Sequence, residues 1–272
     1  GTKKDKTGNT IKTVLWEEVA GPKKSAATKT TIANHRIPLN KMMRKYGVDT
    51  RLRQAALLGN SIQETQWLSR LSEGSGSKLW YAPWYGRGFL QLTNPGNYCN
   101  YWEWRGRTAV GTNLKKAMVD AYAAIEKKDA KDRKNTTLQD SNFTALTAEI
   151  TGWRNNVEAS PDPDGTEERF SPSDSAGFYW AKNKMGQYAD HEHTIERHPV
   201  TTESGTKVYY RSLAFWRASA AVNLPSRIGR TDYSGLNGFD SRCCAYGTLI
   251  ATLTEFSFPD DTNKLTHAFP EG

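Results

Sequence analysis

Cysteine is scarce in this chain, and no two cysteines stand in a C-x-x-C pair. The three are Cys99, Cys243 and Cys244, so a zinc ribbon and a thioredoxin-like redox motif are excluded. Neighbouring Cys243 and Cys244 pair poorly with each other, because a disulfide needs separated backbones. Cys99 could bridge to one of them, but the pattern favours three buried free thiols and demands no oxidising compartment.

Long apolar segments are also lacking. A membrane-spanning helix needs about 18 or more predominantly apolar residues, and the sequence holds no such run. We therefore expect no membrane insertion. No signal peptide is visible, and the first residue is Gly1 rather than Met, so we expect a part of a longer protein.

Several catalytic and binding motifs are missing. The sequence has no G-x-S-x-G, Walker A or dinucleotide fingerprint. His191 and His193 are alternate residues that could share a strand face and, with His198, bind a metal, but the more specific H-E-x-x-H pattern is absent. Residues 160–165 hint at a calcium loop, yet Ser171 stands where a bidentate Glu belongs, which favours a polar turn. We predict no cofactor and no metal.

Aromatic residues and positive charge are plentiful. The chain has nine Trp, twelve Tyr and nine Phe, and 37 basic against 29 acidic side chains give a formal charge of +8. Aromatic side chains stack on flat ligands such as sugar rings, or simply pack in a core. A basic surface attracts polyanions. Nucleic acid, anionic lipid and anionic cell-wall polymer all fit that charge.

The spacing of apolar residues predicts a mainly helical α+β fold with a small β-hairpin. Residues 194–212 alternate around a central Glu203-Ser204-Gly205-Thr206, which is typical of a hairpin. Residues 85–93 predict a turn into a strand or short helix. Residues 1–40 are interpreted as a basic extension or linker, and residues 41–272 as the folded domain. Helices are predicted from Asp49 to about Thr65 and over residues 112–130, 143–157, 173–180, 214–222 and 241–253.

Two glutamates, Glu64 and Glu73, stand nine residues apart at the end of the first of these helices. On a continuous helix nine residues turn through about 900°, so the side chains would point in opposite directions. They can share a cleft only if the helix stops between them. An inverting glycosidase needs one carboxyl as acid and one as base, about 6.5–9.5 Å apart with room for a water molecule. Spacing alone is a weak signal, because two glutamates chosen at random are usually solvated surface acids.

The next segment is more specific. Residues 85–98 read Y-G-R-G-F-L-Q-L-T-N-P-G-N-Y. This resembles the Y-G-R-G-x-x-Q-L-S/T-x-x-x-N-Y signature of glycoside hydrolase family 19, the chitinases and phage endolysins of the lysozyme-like superfamily. Upstream, that family carries H-E-T-G-G with the acid, and its endolysin branch places a second Glu about nine residues later, as Glu64 and Glu73 stand here. Residues 175–180 and 188–190 loosely resemble a later S-A-x-W-F-W and L-A-D region.

The resemblance implies a role for each matching residue. Glu64 would be the general acid and Glu73 the base, with the Thr93 hydroxyl helping to hold the nucleophilic water. The implied sugar-binding and cleft-shaping residues are Tyr85, Arg87, Gln91, Asn97, Tyr98, Asn223 and Arg242. For Arg242, pairing with Glu64 or another acid is as good an interpretation as contact with substrate. The chain departs from the family pattern at Gln63, Gln66 and Trp67, which replace its His and two Gly.

The resulting expectation is a two-lobed, lysozyme-like catalytic domain with a central cleft. We expect a muramidase that cleaves the β-1,4 bond between N-acetylmuramic acid and N-acetylglucosamine, because a basic protein suits the anionic wall better than neutral chitin. Alternatives are a chitinase, a lytic transglycosylase, or a non-catalytic module that binds glycan or nucleic acid. The enzyme would act in the bacterial periplasm or cell wall, as a phage endolysin or as a secreted or injected effector with an immunity protein as partner, and not on nucleic acid.

Overall fold

A computed structural model describes residues 2–12, 26–107, 110–139, 143, 148–159, 171–191 and 193–267. It is mainly helical, with 53% helix and 11% strand, which confirms the expected α-rich α+β composition. No helix formed by these residues is both long and apolar enough to span a membrane. The helices are α1 (Ala26–Lys45), α2 (Arg51–Glu64), α3 (Pro95–Trp104), α4 (Thr112–Glu126), α5 (Ala130–Arg133), α6 (Ala148–Ala159), α7 (Pro172–Lys182), α8 (Met185–Ala189), α9 (Leu213–Asn223) and α10 (Phe239–Leu253).

Among the described residues, six strands form two small sheets. In the first, the order is β1-β2-β3-β4, and β3 and β4 are the predicted antiparallel hairpin, paired from Glu196↔Arg211 to Thr202↔Gly205. β2 joins β3 in parallel through the single pair Lys12↔Thr202. The strands are β1 (Thr2–Lys4), β2 (Thr10–Lys12), β3 (Glu196–Thr202), β4 (Gly205–Arg211), β5 (Phe258–Pro259) and β6 (Leu265–Thr266).

The chain divides into two compact units. The first contains Gly1–Lys29, Met43–Leu68 and Trp180–Gly272, and the second contains Thr30–Met42 and Ser69–Tyr179. The predicted boundary at residue 40 falls inside α1, a continuous helix from Ala26 to Lys45.

The core of the first unit forms where α2 packs against α9 and α10. The rings of Phe215 and Tyr246 stack with centroids 4.1 Å apart and planes 5° from parallel. Gly59 of α2 faces this stack, and a Cβ there would come within 3.1 Å of the Phe215 ring. The absence of a side chain at Gly59 therefore lets the helix backbone approach the aromatic pair closely.

The core of the second unit is built from aromatic rings on α3 and α6. Trp102 stacks on Trp153 at 4.9 Å, and Tyr98 and Tyr101 lie against the same indole. All four are at least 96% buried. Burial of large aromatic side chains is a major stabilising contribution in a domain of this size, and it fixes the helix that follows the signature segment.

One helix starts slightly earlier than predicted. The helix predicted over residues 173–180 begins at Pro172, and the Ser171 hydroxyl accepts the hydrogen bond from the Asp174 amide. The serine one turn earlier is thus the capping residue. Residues 160–170, where the polar turn was predicted, lie outside the described part.

The cysteines are free thiols in this structure. Cys99 and Cys243 are buried as predicted, whereas Cys244 is partly exposed. Burial raises the pKa of the Cys99 thiol to about 11, so that thiol stays protonated and packs as a small apolar group.

Candidate active site

Glu73 is held by the loop that precedes the signature segment. Its Oε1 accepts a hydrogen bond from the Tyr81 hydroxyl at 2.6 Å, and its Oε2 accepts one from the Gly86 amide at 3.0 Å. The Glu73 amide in turn donates to the Gly86 carbonyl oxygen at 2.9 Å. Both carboxylate oxygens are therefore oriented by donors thirteen or fewer residues away in sequence.

Gly86 is the point at which several predicted site residues meet. A Cβ on this glycine would come within 2.6 Å of the Gln91 Oε1 and 3.2 Å of the Thr93 Oγ1. Only a residue without a side chain lets Gln91 and Thr93 lie over the peptide whose amide binds Glu73. The Thr93 hydroxyl itself donates to the Gln91 carbonyl oxygen at 2.7 Å.

The signature segment reaches this arrangement through a tight turn, not a strand. Arg87 makes isolated β-bridges to Ser72 and Leu92, and Gly88 and Gln91 have φ of +79° and +50°. The next helix, α3, starts at Pro95 with the Asn94 side chain accepting from the Asn97 amide at 2.9 Å. Left-handed residues close the turn and place Gln91 beside Gly86.

Arg87 is buried and makes hydrogen bonds that hold the signature segment, residues 85–98, in place. It is 2% exposed, and its Nε donates to Glu158 at 2.8 Å while its Nη1 donates to the Pro83 carbonyl oxygen at 2.8 Å. The Tyr85 ring lies over the guanidinium at 3.7 Å. Arg87 thus pairs with the carboxylate of Glu158 inside the second unit.

Tyr98 and Asn97 are engaged with the protein. Tyr98 is completely buried, and its hydroxyl donates to the Tyr85 carbonyl oxygen at 2.9 Å and accepts from Arg87 at 3.0 Å. The expected contact between Tyr98 and sugar is therefore corrected, since the ring has no surface to offer. The Asn97 side-chain amide donates to the Thr93 carbonyl oxygen and to the Tyr179 hydroxyl, and so braces the turn.

In the first unit, α2 ends at Glu64, as a shared role for the two glutamates requires. The Arg242 Nη2 donates to Glu64 at 2.5 Å and its Nη1 donates to the Asn60 Oδ1 at 2.9 Å. Asn60 and Glu64 are four residues apart and so share one helix face. The predicted pairing of Arg242 with Glu64 is thus present, and Asn60 is an additional member of the cluster.

The chain beyond Glu64 is strained. Gln66, Trp67 and Leu68 all have positive φ, at 51°, 58° and 59°, a conformation that costs a residue with a side chain roughly 1–2 kcal/mol. The Trp67 Nε1 and the Gln63 Oε1 are buried without a hydrogen-bond partner among the described residues. Such strain and unsatisfied polar atoms concentrate at functional sites, and these are the positions at which the chain departs from the family motif.

The other candidates, Asn223 and the histidines, make contacts that involve neither Glu64 nor Glu73. The Asn223 side chain donates to the Ser219 carbonyl oxygen at 3.2 Å on its own helix. Of the histidines considered for a metal, His193 is buried between the Tyr246 hydroxyl and the Ala189 carbonyl oxygen, and His198 lies beside Asp240. The described residues contain no cluster of three or more metal-ligating side chains.

The predicted site residues therefore fall into two groups. Glu64, Asn223 and Arg242 belong to the first unit, whereas Glu73 and the signature residues belong to the second. Two contributors were absent from the sequence-based prediction. Asn60 has a signal, its four-residue spacing from Glu64 on a helix. Tyr81 has none, because its contact with Glu73 depends on the closure of the intervening loop.

Comparison with known proteins adds no relative. No protein-family model matches the chain, and neither a curated protein nor a solved structure matches it.

Proposed function

We propose that the chain is a peptidoglycan hydrolase of the family 19 type, with a lysozyme-like fold. It would be a muramidase that hydrolyses the β-1,4 bond between N-acetylmuramic acid and N-acetylglucosamine by an inverting, two-glutamate mechanism. The observation that carries the proposal is the setting of Glu73, whose two carboxylate oxygens are held by Tyr81 and Gly86 beside Gln91 and Thr93.

Glu73 is the proposed base. A base that takes a proton from water must be held in a fixed direction, within hydrogen-bond reach of that water. The Tyr81 hydroxyl and the Gly86 amide supply that fixation from two sides. The Gln91 amide group and the Thr93 hydroxyl, which lie over the same peptide, are the polar groups best placed to bind the water or the sugar.

Glu64 is the proposed acid. Its carboxyl group is 18% exposed and Arg242 beside it is 5% exposed, so the pair is mostly withdrawn from water. A general acid must reach the leaving oxygen, and the Arg242 guanidinium binds one oxygen of this carboxyl group. The acid role therefore requires that the contact between Arg242 and Glu64 loosens when the glycan binds, while Arg242 keeps its hydrogen bond to Asn60.

The substrate assignment depends on charge. The formal charge of +8 favours encounter with an anionic wall polymer over a neutral one. A digest of purified peptidoglycan and of chitin, with products identified by mass spectrometry, tests this. A muramidase releases fragments with a reducing N-acetylmuramic acid end, a chitinase releases N-acetylglucosamine oligomers, and a lytic transglycosylase leaves an anhydro end that is lighter by one water.

The same digest tests the non-catalytic alternative, because a glycan-binding module releases no fragments from either polymer. A nucleic-acid-binding module would instead bind DNA with an affinity that falls steeply as salt rises. As a muramidase the chain would act in the bacterial periplasm or cell wall. In an effector, the natural partner would be an immunity protein that blocks Glu64 or Glu73.

A further inference from the structure

A cavity of about 370 Å³ lies in the second unit, next to the segment that holds Glu73. Its walls include Ala82, Pro83 and Tyr85, which stand in sequence between the two donors to Glu73, Tyr81 and Gly86. The volume lies within the range of small-ligand sites. Nothing in the two-glutamate mechanism uses this cavity.

The polar lining of the cavity consists of hydrogen-bond donors and positive charge. Arg87 and Arg154 both line it, and they are only 2% and 4% exposed. Asn155 and Gln139 also contribute to the wall. None of the described residues that line the cavity is acidic. Two nearly buried guanidinium groups on one cavity wall are typical of a site for an anion.

Arg87 is positioned to donate into the cavity. Its Nε is used by Glu158 and its Nη1 by the Pro83 carbonyl oxygen and the Tyr98 hydroxyl. Its Nη2 makes no hydrogen bond to any residue that the structure describes. The Tyr85 ring over the guanidinium holds its plane fixed, so little side-chain entropy is lost when an anion binds.

Helix α6 brings the second guanidinium to the same wall. Arg154 lies over the Trp84 ring at 4.9 Å, and the next residue, Asn155, is exposed on the cavity side. Glu158, one turn further along α6, is the residue that anchors Arg87. Helix α6 therefore supplies the Arg154 guanidinium, the Asn155 side-chain amide and the Glu158 carboxylate that binds Arg87.

We propose that this cavity binds a carboxylate of the peptide that peptidoglycan carries on its N-acetylmuramic acid. This inference rests on the proposed function. The cavity would distinguish the wall polymer from chitin, because chitin carries no acidic substituent. A carboxylate matches the planar fork of a guanidinium. The side-chain amides of Asn155 and Gln139 suit the peptide bonds of such a substituent, and the Pro83 and Tyr85 surfaces suit its apolar parts.

The test measures binding and not hydrolysis, by isothermal titration calorimetry on the full chain. The probe is N-acetylmuramyl-L-alanyl-D-glutamate, which has two free carboxylates. Its diamide is the uncharged counterpart, and inorganic phosphate is the competing anion. Asn155→Asp places a negative charge on the cavity wall with no change in shape. Asn135→Asp makes the same charge change at an exposed position that does not line the cavity.

We expect the wild-type chain to bind the acidic probe about tenfold or more tightly than the diamide, because only the acid pairs with the guanidinium groups. Asn155→Asp should remove most of that difference, whereas Asn135→Asp should leave it within about twofold, since an exposed charge at a distance is screened. Both variants are exposed substitutions and should keep the wild-type melting temperature. Arg154→Gln should weaken the acidic probe in the same way.

Four results would overturn the proposal. The first three are no measurable binding of the acidic probe, equal binding of the acid and its diamide, and an unchanged preference in Asn155→Asp. The fourth is displacement of the probe by phosphate at equal concentration, which would indicate a general anion site. This test can be told apart from the test of the proposed function. Charge-selective binding without any cleavage of peptidoglycan would reject the hydrolase and support the carboxylate site. Cleavage of peptidoglycan without charge-selective binding would support the hydrolase and reject the carboxylate site.

Discussion

Tyr81 is the side chain on which the orientation of Glu73 most depends. Burial, and then the hydrogen bond to the Glu73 carboxylate, raise the pKa of Tyr81 well above its usual value. The hydroxyl therefore keeps its proton at neutral pH, and it acts as a donor to Glu73. It is a positioning residue, since it acts through Glu73.

Tyr81→Phe removes this donor and leaves the ring in place. A hydrogen bond to a charged group contributes about 1.5–3 kcal/mol, so we expect kcat on peptidoglycan to fall by roughly tenfold or more while KM changes little. Tyr122→Phe is the matched control, because Tyr122 packs against Trp80 in the same aromatic group and makes no hydrogen bond to Glu73. Equal rates for the wild type and Tyr81→Phe would contradict the role assigned to this hydroxyl.

Arg242 holds the other glutamate. Arg242→Met leaves the Glu64 carboxylate and the Asn60 amide oxygen partly buried without their donor, and loss of one partner from such a pair costs about 3 kcal/mol. We expect that loss in the free energy of unfolding, measured by urea denaturation. The double variant with Glu64→Gln should lose less than the sum of the two single changes, as coupled residues do.

An exposed arginine provides the comparison for that experiment. Arg230 pairs with Asp232 at the surface, where both side chains are about half exposed. Arg230→Met should change the free energy of unfolding far less than Arg242→Met does, because surface ion pairs contribute little. A loss of similar size in the two arginine variants would show that Arg242 is no more than a surface contact.

Two glycines in the second unit should respond in opposite directions to alanine. Gly152 lies inside α6, and an added Cβ there meets nothing within 4 Å, so Gly152→Ala should raise the free energy of unfolding by about 1 kcal/mol through helix propensity. At Gly76 the added Cβ would stand 2.4 Å from the Tyr85 ring. Gly76→Ala should lower the free energy of unfolding by roughly 1–3 kcal/mol, which is the usual cost of overpacking. Thermal melts of both variants check the pair.

A buried histidine connects three helices of the first unit. The His193 Nε2 donates to the Ala189 carbonyl oxygen at the end of α8, and the Nδ1 accepts from the Tyr246 hydroxyl on α10. That hydroxyl also hydrogen-bonds Ser212, the N-cap of α9. Because a carbonyl oxygen cannot donate, Nε2 is the nitrogen that carries the proton in the neutral ring, and Nδ1 is free to accept from the Tyr246 hydroxyl.

Burial lowers the pKa of His193 below its ordinary value of 6.5. As the pH falls below about 6.5, the unfolded chain takes up a proton that the folded chain does not, so stability present at pH 7 is lost. We therefore expect His193 to contribute to a loss of stability between pH 7 and pH 5. The buried His35 acts in the same direction, because burial lowers its pKa as well.

Urea denaturation at both pH values tests this pH dependence. His193→Gln should reduce the difference in stability between pH 7 and pH 5, whereas the exposed His267 can be replaced by Gln without altering it. A difference that persists unchanged in His193→Gln would place the pH dependence elsewhere, and His35→Gln would then identify the other contributor.

Helices with a clear apolar period were predictable from the sequence. The N-cap Thr50 and the periodic residues after it locate α2, and the alternating residues of β3 and β4 locate the hairpin. The α1 helix escaped prediction because it has a weak apolar stripe and an internal Pro38. The α3 helix begins directly after the turn of the signature segment, where Asn94 caps it and Pro95 opens it, and its apolar residues were assigned to the segment itself.

The site was predictable to the extent that it follows local sequence. The resemblance of residues 85–98 led to Gln91 and Thr93, and α2 ends where the spacing of the glutamates required. Contacts made by tertiary closure were not predictable: the Tyr81 hydroxyl on Glu73 is one, and the complete burial of Tyr98 is another. A sequence motif shows which residues recur, but only those that the fold leaves exposed can contact a ligand.

As a whole, the chain places one proposed catalytic glutamate in each of its two compact units. Each glutamate has its own supporting cluster, with Asn60 and Arg242 for Glu64 and with Tyr81 and Gly86 for Glu73. Because no family model, curated protein or solved structure matches the chain, its function must be established from its own residues. The central claim is that both carboxyl groups take part in one hydrolysis.

The release of reducing ends from purified peptidoglycan by the wild type, Glu64→Gln and Glu73→Gln tests that claim most directly. Loss of a general acid or base typically costs about 10²–10⁴-fold, so each variant should fall by at least about 100-fold and keep the wild-type melting temperature. The first product of the wild type should have the inverted anomeric configuration by NMR. Wild-type rates in either folded variant would contradict the two-glutamate account.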